Sequence, residues 1–372
     1  MKFVCEKNQL MAAIATASLT VAQRSTIPAL EGIRMQAGMK LSLTGYNLET
    51  GITVEVPADI SEPGDCVMPS PLFGDIIRRL PDDDVSITVD ETNKVSIRCG
   101  ISFFQIMAAS SEEYPELPEV ETSATVSLPQ KDLRAMIAGA DFCVATNQAR
   151  PILTGCAFEL EDDKLTIVSV DGYRLALRRK SVEGSGRTMK FVIPSAGLRE
   201  VERILKDDEE PVSFTLGSKH ILFELGQIRL ICRLLEGEFL DWRRVIPQDQ
   251  PIVLTANVRE LSNSVERMSL ITSEKVKNPV RCRFGLNEVD FRTSAAMGMA
   301  HDVCPLAGDG KDLEIGFNCR FLLDALKAIP AQEVQLGLSN GLSSMILTPC
   351  ADEEEDFLYM ILPVRLKAEA AE

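Results

Sequence analysis

The segment Pro194-Ser-Ala-Gly-Leu-Arg-Glu-Val-Glu-Arg-Ile-Leu-Lys206 recurs in altered form at two other places in the chain. Leu198, Val201 and Leu205 fall at helical spacing on one face, while Arg199, Arg203 and Lys206 follow one another at i, i+4, i+7 on a second. Pro69-Ser-Pro-Leu72 and Asn318-Cys-Arg-Phe321 open the matching segments, which close at Leu80 and Ile329 as this one closes at Leu205. Arg78, Arg203 and Lys327 share one register within them. An earlier helix repeats too, with Leu10, Leu133 and Leu261 at matching points and a strand entry led by Pro28, Pro151 and Pro279 behind each, at offsets of 123 to 128 residues. Three copies of one domain, each with a basic residue at the same internal position, suit a repetitive anionic partner.

The 372 residues accordingly divide into domains over 1–121, 122–248 and 249–372. Each copy parses into two halves of the form β-α-βββ, an α+β class. Helices are predicted over 7–18, 70–80, 130–142, 195–206, 257–268 and 319–328, with strands between them. In the first copy Ala37-Gly38 and Thr44-Gly45 read as hairpin turns. The second predicts strands over 155–161, 164–170 and 174–181, and the third is expected to repeat that layout. Six halves place sheets on one side of a shell and six helices on the other.

Apolar residues make up 45% and charged residues 25%, the balance of a soluble globular chain. No run approaches a membrane span and the N-terminal residues lack a signal-peptide core, so a cytoplasmic location is expected. The ten cysteines form no Cys-x-x-Cys and read as reduced, buried small hydrophobes. With two histidines, His220 and His301, a metal site is not expected, nor is any cofactor.

A net charge of −16 argues at first against nucleic acid. The six helix segments, however, hold twelve Lys or Arg against eight Asp or Glu, a net of +4 that leaves −20 for everything else. The candidate phosphate contacts are Arg78, Arg79, Arg134, Arg199, Arg203, Lys206, Arg259, Arg267, Arg320 and Lys327. Aromatic residues are 5% of the chain and no zinc finger or helix-turn-helix is present, so such contacts are sequence-independent and salt-sensitive. Phosphate-loop and nucleophile-elbow motifs are absent, and the acidic runs 82–84 and 353–356 read as solvated loops rather than nuclease ligands. The chain reads as a non-enzyme.

One segment breaks the threefold pattern: Asp171-Gly-Tyr-Arg-Leu175 has no counterpart at Asn47-Leu48 or around Thr293. Together with the three-copy layout, this segment, Leu41-Ser-Leu-Thr-Gly-Tyr-Asn-Leu-Glu49, Phe239-Leu-Asp-Trp-Arg-Arg-Val-Ile-Pro247, Ile315-Gly-Phe-Asn318 and Leu362-Pro-Val-Arg-Leu366 resemble the bacterial DNA polymerase III beta subunits, the sliding-clamp family. The resemblance runs in order from residue 1 to 366. It implies three clamp domains per protomer and a head-to-tail homodimeric ring, helices inside and sheets outside, that encircles duplex DNA and tethers the replicative polymerase for processive synthesis. The implied partners are double-stranded DNA, the polymerase III alpha subunit, the clamp loader, other clamp-binding polymerases and repair proteins, and a second copy of the chain.

The resemblance also implies a peptide-binding cleft between the second and third domains. Its second-domain wall would be Leu153, Val170, Gly172, Tyr173, Arg174 and Leu175. Leu240, Arg244 and Val245 would come from the linker. The third domain would add Asn318, Phe321, Leu342 and Ser344, together with Met360, Ile361, Leu362, Pro363, Val364 and Arg365. Apolar side chains there would take Leu or Phe anchors, and Arg or Asn would meet backbone carbonyls. Arg24, Asn147 and Arg150 match DNA-contacting positions, and Phe104, Ile106, Leu270 and Ile271 lie near the implied ring seam. Tyr173, Leu240 and Val276 stand where members often have His, Pro and an aromatic, and the tail 367–372 extends past the usual ending.

Overall fold

The computed structural model describes residues 1–121, 125–147, 149–182, 188–272, 278–351 and 356–366. Val276, most of the acidic run 353–356 and the tail 367–372 lie outside the described residues.

The first copy runs β1 (Lys2–Glu6), α1 (Lys7–Ala17), β2 (Gly32–Ala37), β3 (Leu41–Tyr46), β4 (Thr50–Val56), β5 (Asp59–Glu62), β6 (Gly64–Pro69), α2 (Ser70–Arg79), β7 (Asp84–Val89), β8 (Lys94–Cys99) and β9 (Ser102–Met107). The second has β10 (Thr125–Pro129), α3 (Gln130–Asp141), β11 (Gly155–Glu161), β12 (Lys164–Val170), β13 (Arg174–Ser181), β14 (Met189–Pro194), α4 (Ser195–Ile204), β15 (Pro211–Leu216), β16 (His220–Leu225) and β17 (Ile228–Arg233). The third has β18 (Ile252–Asn257), α5 (Val258–Ser269), β19 (Val280–Ala295), β20 (Gly298–Phe317), α6 (Cys319–Lys327), β21 (Glu333–Leu338), β22 (Met345–Thr348) and β23 (Asp356–Ile361).

All six helices fall where the apolar periodicity predicts them. Asn257 and Asn318 cap α5 and α6 by accepting from the amides of Glu260 at 3.1 Å and Arg320 at 2.9 Å. The Pro28 and Pro151 entries become single 3-10 turns, Pro28–Glu31 and Pro151–Thr154, before their strands.

Two expectations are corrected. Thr44-Gly45 is no turn; it lies inside β3, and the chain reverses at residues 47–49 instead. Gly45 is glycine because α1 sits directly on the strand: a Cβ there would lie 1.9 Å from the Ala17 carbonyl oxygen. The equivalent position in the second copy, Ser169, donates to the Ala140 carbonyl at 2.5 Å. The third copy does not repeat the separate strands of the second. β19 and β20 pair from Val280–Phe317 to Ala295–Gly298 as one ribbon, with register shifts between Phe284 and Glu288.

The chain divides into two compact units, Met1–Leu133 with Ala196–Leu234, and Arg134–Ser195 with Leu235–Glu372. The first holds a five-stranded sheet, β5-β1-β7-β8-β9, and an eight-stranded sheet, β10-β15-β16-β17-β4-β3-β2-β6. The second holds a ten-stranded sheet, β14-β11-β12-β13-β23-β22-β21-β18-β20-β19. The cut passes through the middle copy because antiparallel pairing joins β17 to β4 of the first copy and β13 to β23 of the third. In the second unit the apolar core includes Leu254, Phe291, Phe317 and Tyr359, and a satellite cluster gathers Leu153, Val170, Leu175, Trp242 and Met360.

Nine of the ten cysteines are buried, and burial pushes the Cys5 and Cys66 thiols up to about 12, which removes their thiolate chemistry at neutral pH.

Candidate functional site

The segment that breaks the sequence repeat turns out to be a repeated turn with different side chains. Asp171 Oδ1 accepts from the amides of Tyr173 at 2.8 Å and Arg174 at 3.0 Å, and Gly172 takes φ +94°. Asn47 Oδ1 accepts from Glu49 at 3.0 Å and Thr50 at 2.8 Å, with Leu48 at φ 74°. In both, the first residue of the turn stabilises the left-handed second residue through an Asx bond. The next strand docks alike: the Leu362 amide donates to the Tyr173 carbonyl at 2.9 Å, and the Arg233 amide to that of Glu49 at 2.8 Å. The expectation of no counterpart at Asn47-Leu48 is therefore wrong for the backbone, since Asn and Asp serve one turn.

The chemistry differs. Tyr173 is 63% exposed and stacks on Phe321 of α6, with ring centroids 6.1 Å apart. The two rings form one wall of a cavity of about 800 Å³ that Asn318, Arg320, Leu362, Pro363 and Val364 also line. Val364 is fixed by its amide donating to the Gly316 carbonyl at 2.8 Å, so the terminal segment lies along the end of β20. A Cβ on Gly316 would come within 2.5 Å of Leu366, which accounts for glycine at that crossing.

Other expected cleft residues lie at different depths. Leu153, Val170, Leu175, Met360 and Ile361 are buried and do not line this cavity; all but Ile361 belong to the satellite cluster, with Leu240 packed partly against it. Leu342 and Val245 are exposed apolar groups, Ser344 is half-buried, and Arg365 is exposed. Arg244 is exposed and paired with Asp241 at 2.8 Å. Arg174, expected to meet peptide carbonyls, is 7% exposed with its donors committed inside: Nε to Asp171 at 2.9 Å, Nη1 to Asp324 at 2.6 Å and Nη2 to the Phe142 carbonyl at 2.8 Å. Burial works against its charge, yet Cys143, Asp324 and Asp171 hold the guanidinium above its usual range. Ser269, Thr272, Asn278 and Asp324 also line the cavity without a sequence signal of their own, as do Pro279 and Lys327, which the repeat singles out for other reasons.

The candidate phosphate contacts are all exposed, but they are of two kinds. Arg78 and Arg79 pair with Asp75, Arg203 with Glu200, Arg267 with Asp302 and Lys327 with Glu266. Arg320 stands 3.9 Å from Asp324, and Arg199 also has a polar partner. Arg24, Arg134, Arg150, Lys206 and Arg259 have no ion pair among the described residues. Asn147 uses its side-chain oxygen to accept from the Ala149 amide. Helical spacing shows the acids one turn from Arg78, Arg79 and Arg203, but not Asp302 and Glu266, which reach Arg267 and Lys327 from other elements.

β9, the outer strand of its sheet, exposes Phe103, Phe104 and Met107, and the start of β20, which pairs with β19 and lies ahead of the β18 pairing at Ala307, exposes Met299 and Val303, with Met297 in the turn before it. Leu270 is exposed and Ile271 half-buried close to Gly298. Ile106 is half-buried in β9.

No group of metal-ligating side chains occurs among the described residues, and no described helix is long and apolar enough to cross a membrane.

Comparison with known proteins gives a consistent result. Family models for the N-terminal, central and C-terminal domains of the DNA polymerase III beta subunit match residues 1–118, 127–241 and 243–365. The beta sliding clamp of Staphylococcus aureus is 31% identical over 376 residues, covering 98% of this chain and 99% of the relative. That of Staphylococcus epidermidis is 30% identical with the same coverage. Among solved structures, the Bacillus subtilis DNA polymerase sliding clamp superposes with a TM-score of 0.93 at 28% identity, covering 99% of this chain and 100% of that one. The Pseudomonas aeruginosa DNA polymerase III beta subunit gives 0.93 at 27%, covering 98% and 100%.

Proposed function

The chain belongs to the DNA polymerase III beta subunit family, the non-catalytic sliding clamps of DNA replication, and from that membership we propose how its parts serve processive synthesis. Two copies join head to tail and close a ring around duplex DNA, with the basic helices toward the phosphates and the acidic remainder outward. The polymerase is retained because the ring cannot leave the duplex sideways, so no tight or sequence-specific grip is needed. The cavity beside Tyr173 and Phe321 receives apolar segments of the polymerase alpha subunit, the clamp loader, and other polymerases and repair proteins. Domain limits at 121/122 and 248/249, and a cytoplasmic location, belong to the same reading.

The free strand edges carry the ring proposal. Thr53 of β4 pairs with Arg229 of β17, and Leu177 of β13 pairs with Leu358 of β23. His301 holds the same place in the third copy, 124 residues on from Leu177, and Phe103 holds the place of Arg229. Each chain thus retains one copy of each of the two strand edges that it already pairs with one another twice. Both expose apolar side chains, which an isolated edge strand would avoid.

The test is retention on DNA. After loading, the protein should stay on nicked circular DNA and be lost quickly once the circle is linearised. Equal retention on both forms would sink the topological mechanism and leave an interaction scaffold that never encloses DNA.

A further inference from the structure

We propose that Arg174 and Asp324 are positioning residues of the docking cavity: a latch that fixes the Tyr173 wall to helix α6, with the Arg174 guanidinium turned away from the docked peptide. This rests on the cavity being a docking site. Asp324 Oδ2 receives Arg174 Nη1 at 2.6 Å, while Arg320 stays 3.9 Å away. The other side of the guanidinium is taken by Asp171 Oδ2 at 2.9 Å, and Asp171 Oδ1 holds the amides of Tyr173 and Arg174. The guanidinium carbon stands 4.5 Å from the centroid of the Phe321 ring, the ring on which Tyr173 stacks. A charged chain therefore runs from α6 through Arg174 to the backbone of the turn that carries Tyr173. Its strand-side part is closed to solvent, the Arg174 side chain being 8% exposed and that of Asp171 14%, while Asp324, on the cavity lining, is 31% exposed.

The first junction shows what the latch replaces. Thr50 occupies the position of Arg174, Gly197 that of Phe321 and Glu200 that of Asp324. Thr50 Oγ1 there faces Cys232, Glu200 pairs with Arg203 on its own helix, and a Cβ on Gly197 would sit 2.3 Å from the Cys232 sulfur. With small residues and no buried cation, the helix closes onto the strand. Phe321, Arg174 and Asp324 together keep the second junction open.

Binding of a fluorescein-labelled synthetic peptide carrying Leu and Phe anchors tests this, by anisotropy at neutral pH on the full-length protein. Asp324→Asn should weaken binding about tenfold or more, the scale of a hydrogen bond to a charged group. Arg174→Lys, which keeps the charge but not the fork, should weaken it likewise. In a Tyr173→Ala background the Asp324→Asn loss should disappear, because the latch acts through Tyr173. An unchanged Asp324→Asn affinity, or an equal loss in both backgrounds, overturns the latch. Thermal melts exclude unfolding as the cause. If the unaltered protein fails to bind any such peptide, the docking reading itself falls, a result distinct from either.

Discussion

The repeat predicts the register of the ring seam to a single residue. Ile52 opposes Leu230 and Ala176 opposes Tyr359 at the two internal junctions. Ala300, at the same 124-residue spacing, should therefore oppose Phe104 of the second copy. The flanking bonds at the first junction, Arg233 amide to Glu49 carbonyl at 2.8 Å and Glu55 amide to Gln227 carbonyl at 3.0 Å, make position 52 a non-hydrogen-bonded site. Opposed Cα atoms at such a site lie about 4.5 Å apart. A disulfide spans roughly 4.4–6.8 Å between Cα atoms, whereas diagonal neighbours two residues along stand at roughly 7–8 Å. The variant Phe104→Cys with Ala300→Cys should oxidise to a covalently closed dimer, linked at both seams, while Phe104→Cys with Asp302→Cys should not. Phe104 is 39% exposed, so its loss leaves the folded core intact. Cys350, half-buried where the other nine cysteines are buried, is first replaced by Ser. Non-reducing electrophoresis reads the result. Cross-linking of the Asp302 pair in preference to the Ala300 pair would refute the register, and cross-linking of neither would refute the seam.

Three further outcomes are expected. Replacing Arg24 and Arg150, which have no ion pair among the described residues, should lower the slope of log affinity for a short duplex against log salt by roughly 0.9 for each phosphate no longer neutralised; replacing Arg203 and Arg267, already paired with Glu200 and Asp302, should leave that slope nearly unchanged in the same anisotropy titration. Gly45→Ala should cost roughly 3 kcal/mol, since its Cβ meets backbone at 1.9 Å, whereas Gly38→Ala, with nothing within 4 Å, should be silent in urea unfolding followed by circular dichroism. For Asp302, burial raises the carboxyl pKa but bonds from Arg267 and Ser264 bring it below its ordinary value; the stability it lends is thus present above the unfolded pKa of about 3.9 and lost as pH falls through the folded value, so Asp302→Asn should destabilise at pH near 7 and have little effect near 2.

The elements were largely legible because each carried its own local signal. Apolar residues at helical spacing marked the helices, and short apolar runs set off by Asp162-Asp163 and Asp171-Gly172 marked β11, β12 and β13. What sequence could not supply was set by non-local packing. Thr44-Gly45 reads as a turn by composition, but the glycine answers to the carbonyl of Ala17, 28 residues earlier. Asp171 and Asn47 look unrelated until their Oδ1 bonds show them making one turn. The cavity residues were legible in part: Tyr173 and Phe321 line it, but Arg174 is turned inward by Asp324, 150 positions away. Nor could spacing reveal the cations neutralised from another element, as Lys327 is by Glu266 on α5.

The two internal junctions share backbone geometry and differ in side chains, so the cavity beside Tyr173 is not set by the fold alone. At both, a strand end is clasped by an Asx turn and a helix begins beside it. Glycine at 197 lets α4 approach until the Cys232 sulfur occupies the space a side chain would need. Phenylalanine at 321 forbids that approach, and its ring has room for a partner on the strand side. Arg174 supplies it, and its charge, once buried, requires two carboxylates, Asp171 and Asp324. The large residue in place of glycine leaves room for a cation against its ring, and the buried cation is matched by its acids. Arg174, Phe321 and Asp324 should be readable as a unit: implanting Phe at 197 alone ought to destabilise the first junction rather than open it, because Thr50 carries no charge to meet the ring. A melting temperature unchanged by Gly197→Phe would show that the space at the first junction is held open by something else.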